Sequence, residues 1–228
     1  MPGILLHAYF ADEVIKAAPK SHLVANDSSY QQRFMMGNLI PDLGNDKNRT
    51  HCRYRLPYPV GILLPDLYEA THRWPLITSP QDAIRAGVLA HLYLDYWFLK
   101  DFVIPRFSWE WNTISLNSEP HYHNWTRKEF FGKTGLYRCY GELNCIIIQK
   151  QLVDILALNR IPAELPLTGI SDFDDRKERS WREELNSYLI NPYFVEKPIF
   201  DIDDICTFFQ EKARDFAKIF EAPSTLSL

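Results

Sequence analysis

His91 and Asp95 stand four residues apart in the apolar run Gly87 to Asp95, GVLAHLYLD. At helical pitch that spacing places an imidazole and a carboxylate on one face. Both fall on the stripe Ile84, Val88, His91, Asp95, Phe98, Phe102, whose steps alternate four and three, so both point where an amphipathic helix buries its apolar side. An aspartate buried without a partner is costly, and a positive charge is therefore expected to face it. The same pair also reads as a core histidine hydrogen-bonded to a neighbouring carboxylate. The rest of the chain has to separate the two readings.

Three more residues offer the same chemistry. His7 completes the helical stripe Ile4, His7, Ala11, Val14, Ala18. Asp42 follows Pro41 in GNLIPDL, and His51 lies in the polar stretch LGNDKNRTHCRYR that comes next. The set His7, Asp42, His51, His91 and Asp95 is a nitrogen and oxygen donor mix that zinc accepts, and other divalent metals are compatible with it. Two carboxylates roughly neutralise one divalent ion. If Asp95 bridges two ions, the surplus positive charge attracts hydroxide or phosphate. His22 and His72 have no ligand partner at useful spacing, and His121 and His123, in HYH, read as histidines that face water or stack on Trp125.

The elements that must position these groups read as helices. The first covers residues 4 to 18. The second starts after Asp27 or Ser28, which can cap it, and is broken at Pro41. A short piece runs around Asp66 to Thr71. The central helix opens with Ser79 as cap, Pro80 next and Asp82 three on, and continues to about Val103, before Pro105. Residues 107 to 131 show no regular period and hold three of the six tryptophans, which suggests a loop or lid. Further helical patterns cover Thr134 to Leu158 and Asp174 or Asp175 through Leu189, and a last one is capped by Asp201, with a frayed tail beyond it. No stretch shows convincing strand alternation. The expected fold is all-α, a single-domain multi-helix bundle over residues 1 to 228.

Composition narrows the function. A chain of 228 residues with 46% hydrophobic and 14% aromatic residues can bury one sizeable core. A net charge of -4, with basic residues mixed among acidic ones, leaves no stripe for duplex nucleic acid. The N-terminus lacks the basic region of an export signal, and no run approaches the roughly 20 apolar residues of a membrane span. Cys52, Cys139, Cys145 and Cys206 form no CxxC. These features together suggest a reducing, cytoplasmic setting with free thiols. There is no Gly-rich phosphate loop, no GxSxG and no His-Asp dipeptide, which removes nucleotide-fold, serine-hydrolase and HD-phosphohydrolase readings.

Taken in order, HAYFA at 7 to 11, GNLIPD at 37 to 42, His51, and GVLAHLYLD at 87 to 95 resemble the zinc-dependent phospholipase C family over about the first hundred residues. The resemblance implies an all-helical metallohydrolase fold, shared with single-strand-specific nucleases, that cleaves phosphodiesters at a zinc cluster. It implies that Asp42, His51, His91 and Asp95 hold one zinc, that Asp95 bridges to a second, and that His7 serves the second together with the processed N-terminal residue, here Pro2. The further histidines and glutamate of a third zinc find no matching spacing in this chain. The expectation is a hydrolase of small-molecule or lipid phosphoesters with one or two zinc-type ions, in which a metal-bound hydroxide attacks phosphorus and Asp42 orients or deprotonates the water. The alternative is a non-catalytic metal-binding or interaction protein derived from that fold, using the aromatic stretch 107 to 131 for a partner. Nuclease activity would need a stacking platform from Trp109, Trp111 and Trp125, and the acidic net charge opposes it.

Overall fold

The central apolar run forms the helix its stripe demands. In the computed structural model, which describes residues 3–43, 50–75, 82–119, 121, 123–132, 134–154, 157–158, 182–183, 186–187 and 198–221, we label the helices in chain order. They are α1 Ile4–Ala17, α2 Leu23–Asn26, α3 Ser28–Leu43, α4 Leu67–Arg73, α5 Asp82–Trp97, α6 Arg127–Phe130, α7 Leu136–Gln149 and α8 Ile202–Ala217. α5 is buried on nearly every side from Ala86 to Asp95, so it is the axis of the molecule rather than a surface helix. It runs on through a π-helical stretch, Phe98–Val103, that keeps Phe98 and Phe102 stacked in the core.

Two glycines set how closely α3 approaches α5. A Cβ on Gly37 would stand 2.1 Å from the Ile84 carbonyl oxygen, and one on Gly87 would stand 2.1 Å from that of Phe34. The helices therefore meet backbone to backbone, at a separation only glycine permits on both sides. α1 packs against α3 and α8, and Phe10, Phe34, Phe209 and Phe216 fill the space between them. The helix starts follow their caps: Asp27 accepts the Tyr30 N–H at 2.7 Å, Asp66 that of Glu69 at 2.9 Å, and Asp201 that of Asp203 at 2.7 Å.

The all-α expectation is wrong. The fold is mostly helical but mixed, with two small antiparallel sheets among the described residues. β1 Arg53–Arg55 pairs with β2 Leu63–Pro65, and β3 Phe107–Trp109, β4 Thr113–Leu116 and β5 Asn124–Thr126 form a three-stranded meander. The stretch 107 to 131, expected to be irregular, thus carries a sheet. Phe107, Ile114, Leu116 and Phe130 are buried there, with Trp109 and Trp125 half-buried beside them. The alternation exists, but in strands of three or four residues, too short to stand out in a window suited to helices.

Pro41 does not break α3, which continues to Leu43 with the proline inside it. The helix expected to reach Leu158 ends at Gln149, where Gln151 turns the chain at φ 54°. Pro2, the Ser79–Pro80 helix start, most of the helix expected over 174–189, and the tail 222–228 lie outside the described residues. No helix among the described residues is long and apolar enough to cross a membrane. All four cysteines are free thiols.

Candidate metal centre

The glycine crossing brings four chain segments to one point. His91 on α5 lies one turn after Gly87, Asp42 lies near the end of α3, His51 follows on the segment entering β1, and His7 comes from α1. His7 is 1% exposed, and His51, His91 and Asp95 are fully buried. The side chain of Asp42 alone reaches solvent, at 18% exposure. All five residues expected from the sequence are therefore together, as two triads that share His91: His7, His91, Asp95 and Asp42, His51, His91.

Hydrogen bonds fix where the imidazole protons sit. The Nδ1 of His91 lies 2.7 Å from the backbone carbonyl oxygen of Asn38. A carbonyl only accepts, so His91 carries its proton on Nδ1 and presents a lone pair at Nε2. The Thr50 hydroxyl has one proton, which it gives to the Pro41 carbonyl at 3.1 Å. Its oxygen can then only accept from His51 Nδ1, 2.8 Å away. His51 therefore also carries its proton on Nδ1 and turns a lone pair inward.

These two lone pairs face each other, with Nε2 of His51 and Nε2 of His91 separated by 3.2 Å. The separation is within hydrogen-bond range, and when both imidazoles are neutral neither nitrogen has a proton to give. Asp95 Oδ2 stands 3.6 Å from the first nitrogen and 3.7 Å from the second, and Asp42 Oδ1 is 3.7 Å from His51 Nε2. Tetrahedral zinc with bonds of about 2.0–2.1 Å puts neighbouring ligand atoms about 3.3 Å apart. Both Asp95 oxygens are buried without a hydrogen-bond donor. With the imidazoles neutral, lone pairs and a carboxylate converge here, an arrangement that favours a cation. The residues could hold a metal ion.

The electrostatics agree. Burial, then the neighbouring His7, pushes His91 down to about 3, so His91 itself is neutral at ordinary pH. Burial pushes Asp95 up, but the imidazoles, His91 foremost, overcome this and bring it to about 2. It is a carboxylate at neutral pH. His7 stacks on His91 with ring centroids 3.7 Å apart and planes 8° from parallel. Its Nε2 is 3.4 Å from Asp95 Oδ1, the oxygen turned away from the other two histidines.

Sequence reasoning missed the supporting residues. Asn38 ties the histidine helices together: its amide donates to the His7 carbonyl at 2.9 Å, and its side-chain oxygen accepts the His91 N–H at 3.2 Å. Thr50 sets the proton of His51. The signals were adjacent, Asn38 inside GNLIPD and Thr50 directly before His51, but only the fold shows what each one touches. Tyr140 was missed as well. Its hydroxyl is buried without a partner, and burial, then the charge of Asp95, raises it well above the usual phenol range.

The other histidines stay apart from this cluster. His123 stacks on Trp125 at 5.5 Å and lies 3.6 Å from Glu119. Trp109 and Trp125 pack on Phe130, while Trp111 is 69% exposed and stacks on Tyr58. Compared with known protein families, with curated proteins and with solved structures, the chain matches none.

Proposed function

We propose that this centre binds a zinc-type divalent ion and that the protein hydrolyses phosphoesters there. The observation that carries the metal reading is the pair of facing lone pairs on His51 and His91 beside an ionised, undonated Asp95. Asp42, His51, His91 and Asp95 would hold the ion, and His7 with Asp95 Oδ1 offers the place for a second. The order of HAYFA, GNLIPD, His51 and GVLAHLYLD, similar to that in the zinc-dependent phospholipase C family, supports small-molecule or lipid phosphoesters as the substrate class.

A divalent ion supplies an acidified water and charge neutralisation for phosphoryl oxygens. The chain does the rest. Thr50 and the Asn38 carbonyl hold the two imidazoles with their lone pairs inward. Asp42, the member open to solvent, orients the water and takes its proton. The walls around Asp95 exclude bulk water.

One observation favours a second reading, a non-catalytic metal-binding protein: apart from Asp42, the cluster is at most 1% exposed, as befits a closed structural site. The test is elemental analysis of dialysed protein together with hydrolysis of bis(p-nitrophenyl) phosphate and of p-nitrophenyl phosphate, for the parent, Asp95→Asn and His91→Ala. One or two zinc ions per chain and hydrolysis, both lost in the variants, would support the enzyme. Bound metal without hydrolysis of diester or monoester would favour the structural reading. Absence of metal, with none taken up on adding zinc, would defeat both.

A further inference from the structure

Five buried polar atoms without a hydrogen-bond partner among the described residues fall in one place: both ring nitrogens of His7, both oxygens of Asp95 and the hydroxyl of Tyr140. His7 and Asp95 belong to the metal centre. Tyr140 comes from a further element, α7. Its ring packs on Phe98 with centroids 6.2 Å apart, one turn past Asp95 on the central stripe. One turn later on α7, the side-chain amide of Asn144 lies where a Cβ on Gly3 would stand 2.8 Å from it. Gly3 precedes His7 by one turn, and its carbonyl accepts the His7 N–H at 3.2 Å. The inner face of α7 therefore closes over the side of the centre where His7 and Asp95 meet.

Tyr140 is 3% exposed. After burial itself, the charge of Asp95 does most to raise its hydroxyl above the usual phenol range, so the phenol keeps its proton and stands within electrostatic reach of the carboxylate. A protonated phenol is a donor, whereas the Asp95 oxygens only accept. A cation between Asp95 Oδ1 and His7 Nε2, which are 3.4 Å apart, satisfies those two atoms and leaves the phenol proton unmatched. An oxygen carried on that cation supplies the missing acceptor. Neither needs an open cleft, since buried water commonly joins two to four polar groups that the protein leaves unsatisfied.

We propose that Tyr140 is a positioning residue of this centre, its hydroxyl donating to a water or hydroxide oxygen on a second ion held by His7 and Asp95 Oδ1. The proposal rests on the metal reading above, in its two-ion form. Its test compares the full chain with Tyr140→Phe, which keeps the ring, and with Tyr137→Phe, whose parent side chain is 61% exposed on the same helix. The measurements are zinc stoichiometry, chelator competition, the visible spectrum of the cobalt-loaded protein, and urea unfolding without metal. Two zinc ions per parent chain are expected. In Tyr140→Phe one ion should loosen about 10–100-fold, the loss typical of a supporting hydrogen bond, with the other retained and the cobalt spectrum changed. Tyr137→Phe should behave as the parent. Without metal, Tyr140→Phe should unfold at the same or higher urea, because a buried hydroxyl without a partner is a cost. A lower urea midpoint would make the hydroxyl structural and overturn the proposal. So would two ions bound alike by parent and Tyr140→Phe, equal loosening of both ions, an effect matched by Tyr137→Phe, or a single ion in the parent; in each of these cases the metal reading survives. No metal in any of the three proteins would remove both.

Discussion

Gly87→Ala asks whether the helix crossing builds the metal centre. The new Cβ would meet the Phe34 carbonyl oxygen at 2.1 Å and the Asn38 nitrogen at 2.6 Å, where ordinary contact begins at 3.4 Å. Going from 2.1 to 3.4 Å requires α3 and α5 to part by about 1.3 Å along that contact. His91 rides on α5, whereas Asp42 and the Pro41 carbonyl that anchors Thr50 ride on α3. Metal geometry tolerates about 0.2 Å, so the displacement exceeds the tolerance several-fold. Zinc affinity is expected to fall by about 100-fold or more, at or beyond the loss typical when a supporting residue is removed. Overpacking costs about 1–3 kcal/mol, against which the better helix propensity of alanine returns about 1 kcal/mol. Gly141→Ala is the control. Nothing lies within 4 Å of its Cβ, so that variant should keep its metal and gain up to about 1 kcal/mol. Chelator competition gives the affinity and urea unfolding the stability. A Gly87→Ala protein that binds zinc as the parent does, and unfolds at the same or higher urea, would refute the reasoning.

Three further outcomes are expected. Thr50→Val removes both the hydroxyl that accepts from His51 and the donor to Pro41, and should weaken zinc binding about 10–100-fold with the overall fold retained; chelator competition and circular dichroism measure both parts. In the metal-free protein, the unfolded chain protonates His91 near 6.5 while the folded chain resists until about 3. The unfolded state therefore binds more protons in between, and stability falls as pH drops through that window. Asp95, held at about 2 against 3.8, adds loss in the same direction at more acidic pH. A urea midpoint that stays flat or rises from pH 7 to pH 4 would contradict this. Zinc at 100 times its dissociation constant should add about 2.7 kcal/mol of stability to the parent and little to His91→Ala, as read by thermal unfolding with and without the ion.

The clustered histidines and aspartates were legible as a group because chemistry and spacing coincide in them. A histidine and an aspartate four apart on an otherwise apolar stripe signal burial of a charge that needs a counter-charge. The roles of Gly37 and Gly87 were invisible, since a glycine in a helical run looks only like a weak helix former until its neighbour across the crossing is known. Pro41 misled for a related reason. A proline disrupts the turn before it, but here it sits close to the end of α3, where carbonyls lack helical donors and one of them, its own, accepts from Thr50. The meander over β3, β4 and β5 escaped because each strand shows at most two inward residues. Its order depends on pairing between successive short strands, which no period along any one of them announces.

The uneven exposure of the cluster bears on exchange kinetics. Of the five clustered residues Asp42 is the one at the surface, with a side chain 18% exposed, and behind it the others are sealed at 0 or 1%. Among the described residues, a bound ion would have its way out past the Asp42 carboxylate. Departure would then require local opening around Asp42 and the buried His51, a rarer event than surface fluctuation. Occupancy would thus be decided when the chain folds, by whichever suitable ion is then at hand, and kept afterwards by slow release rather than by affinity alone.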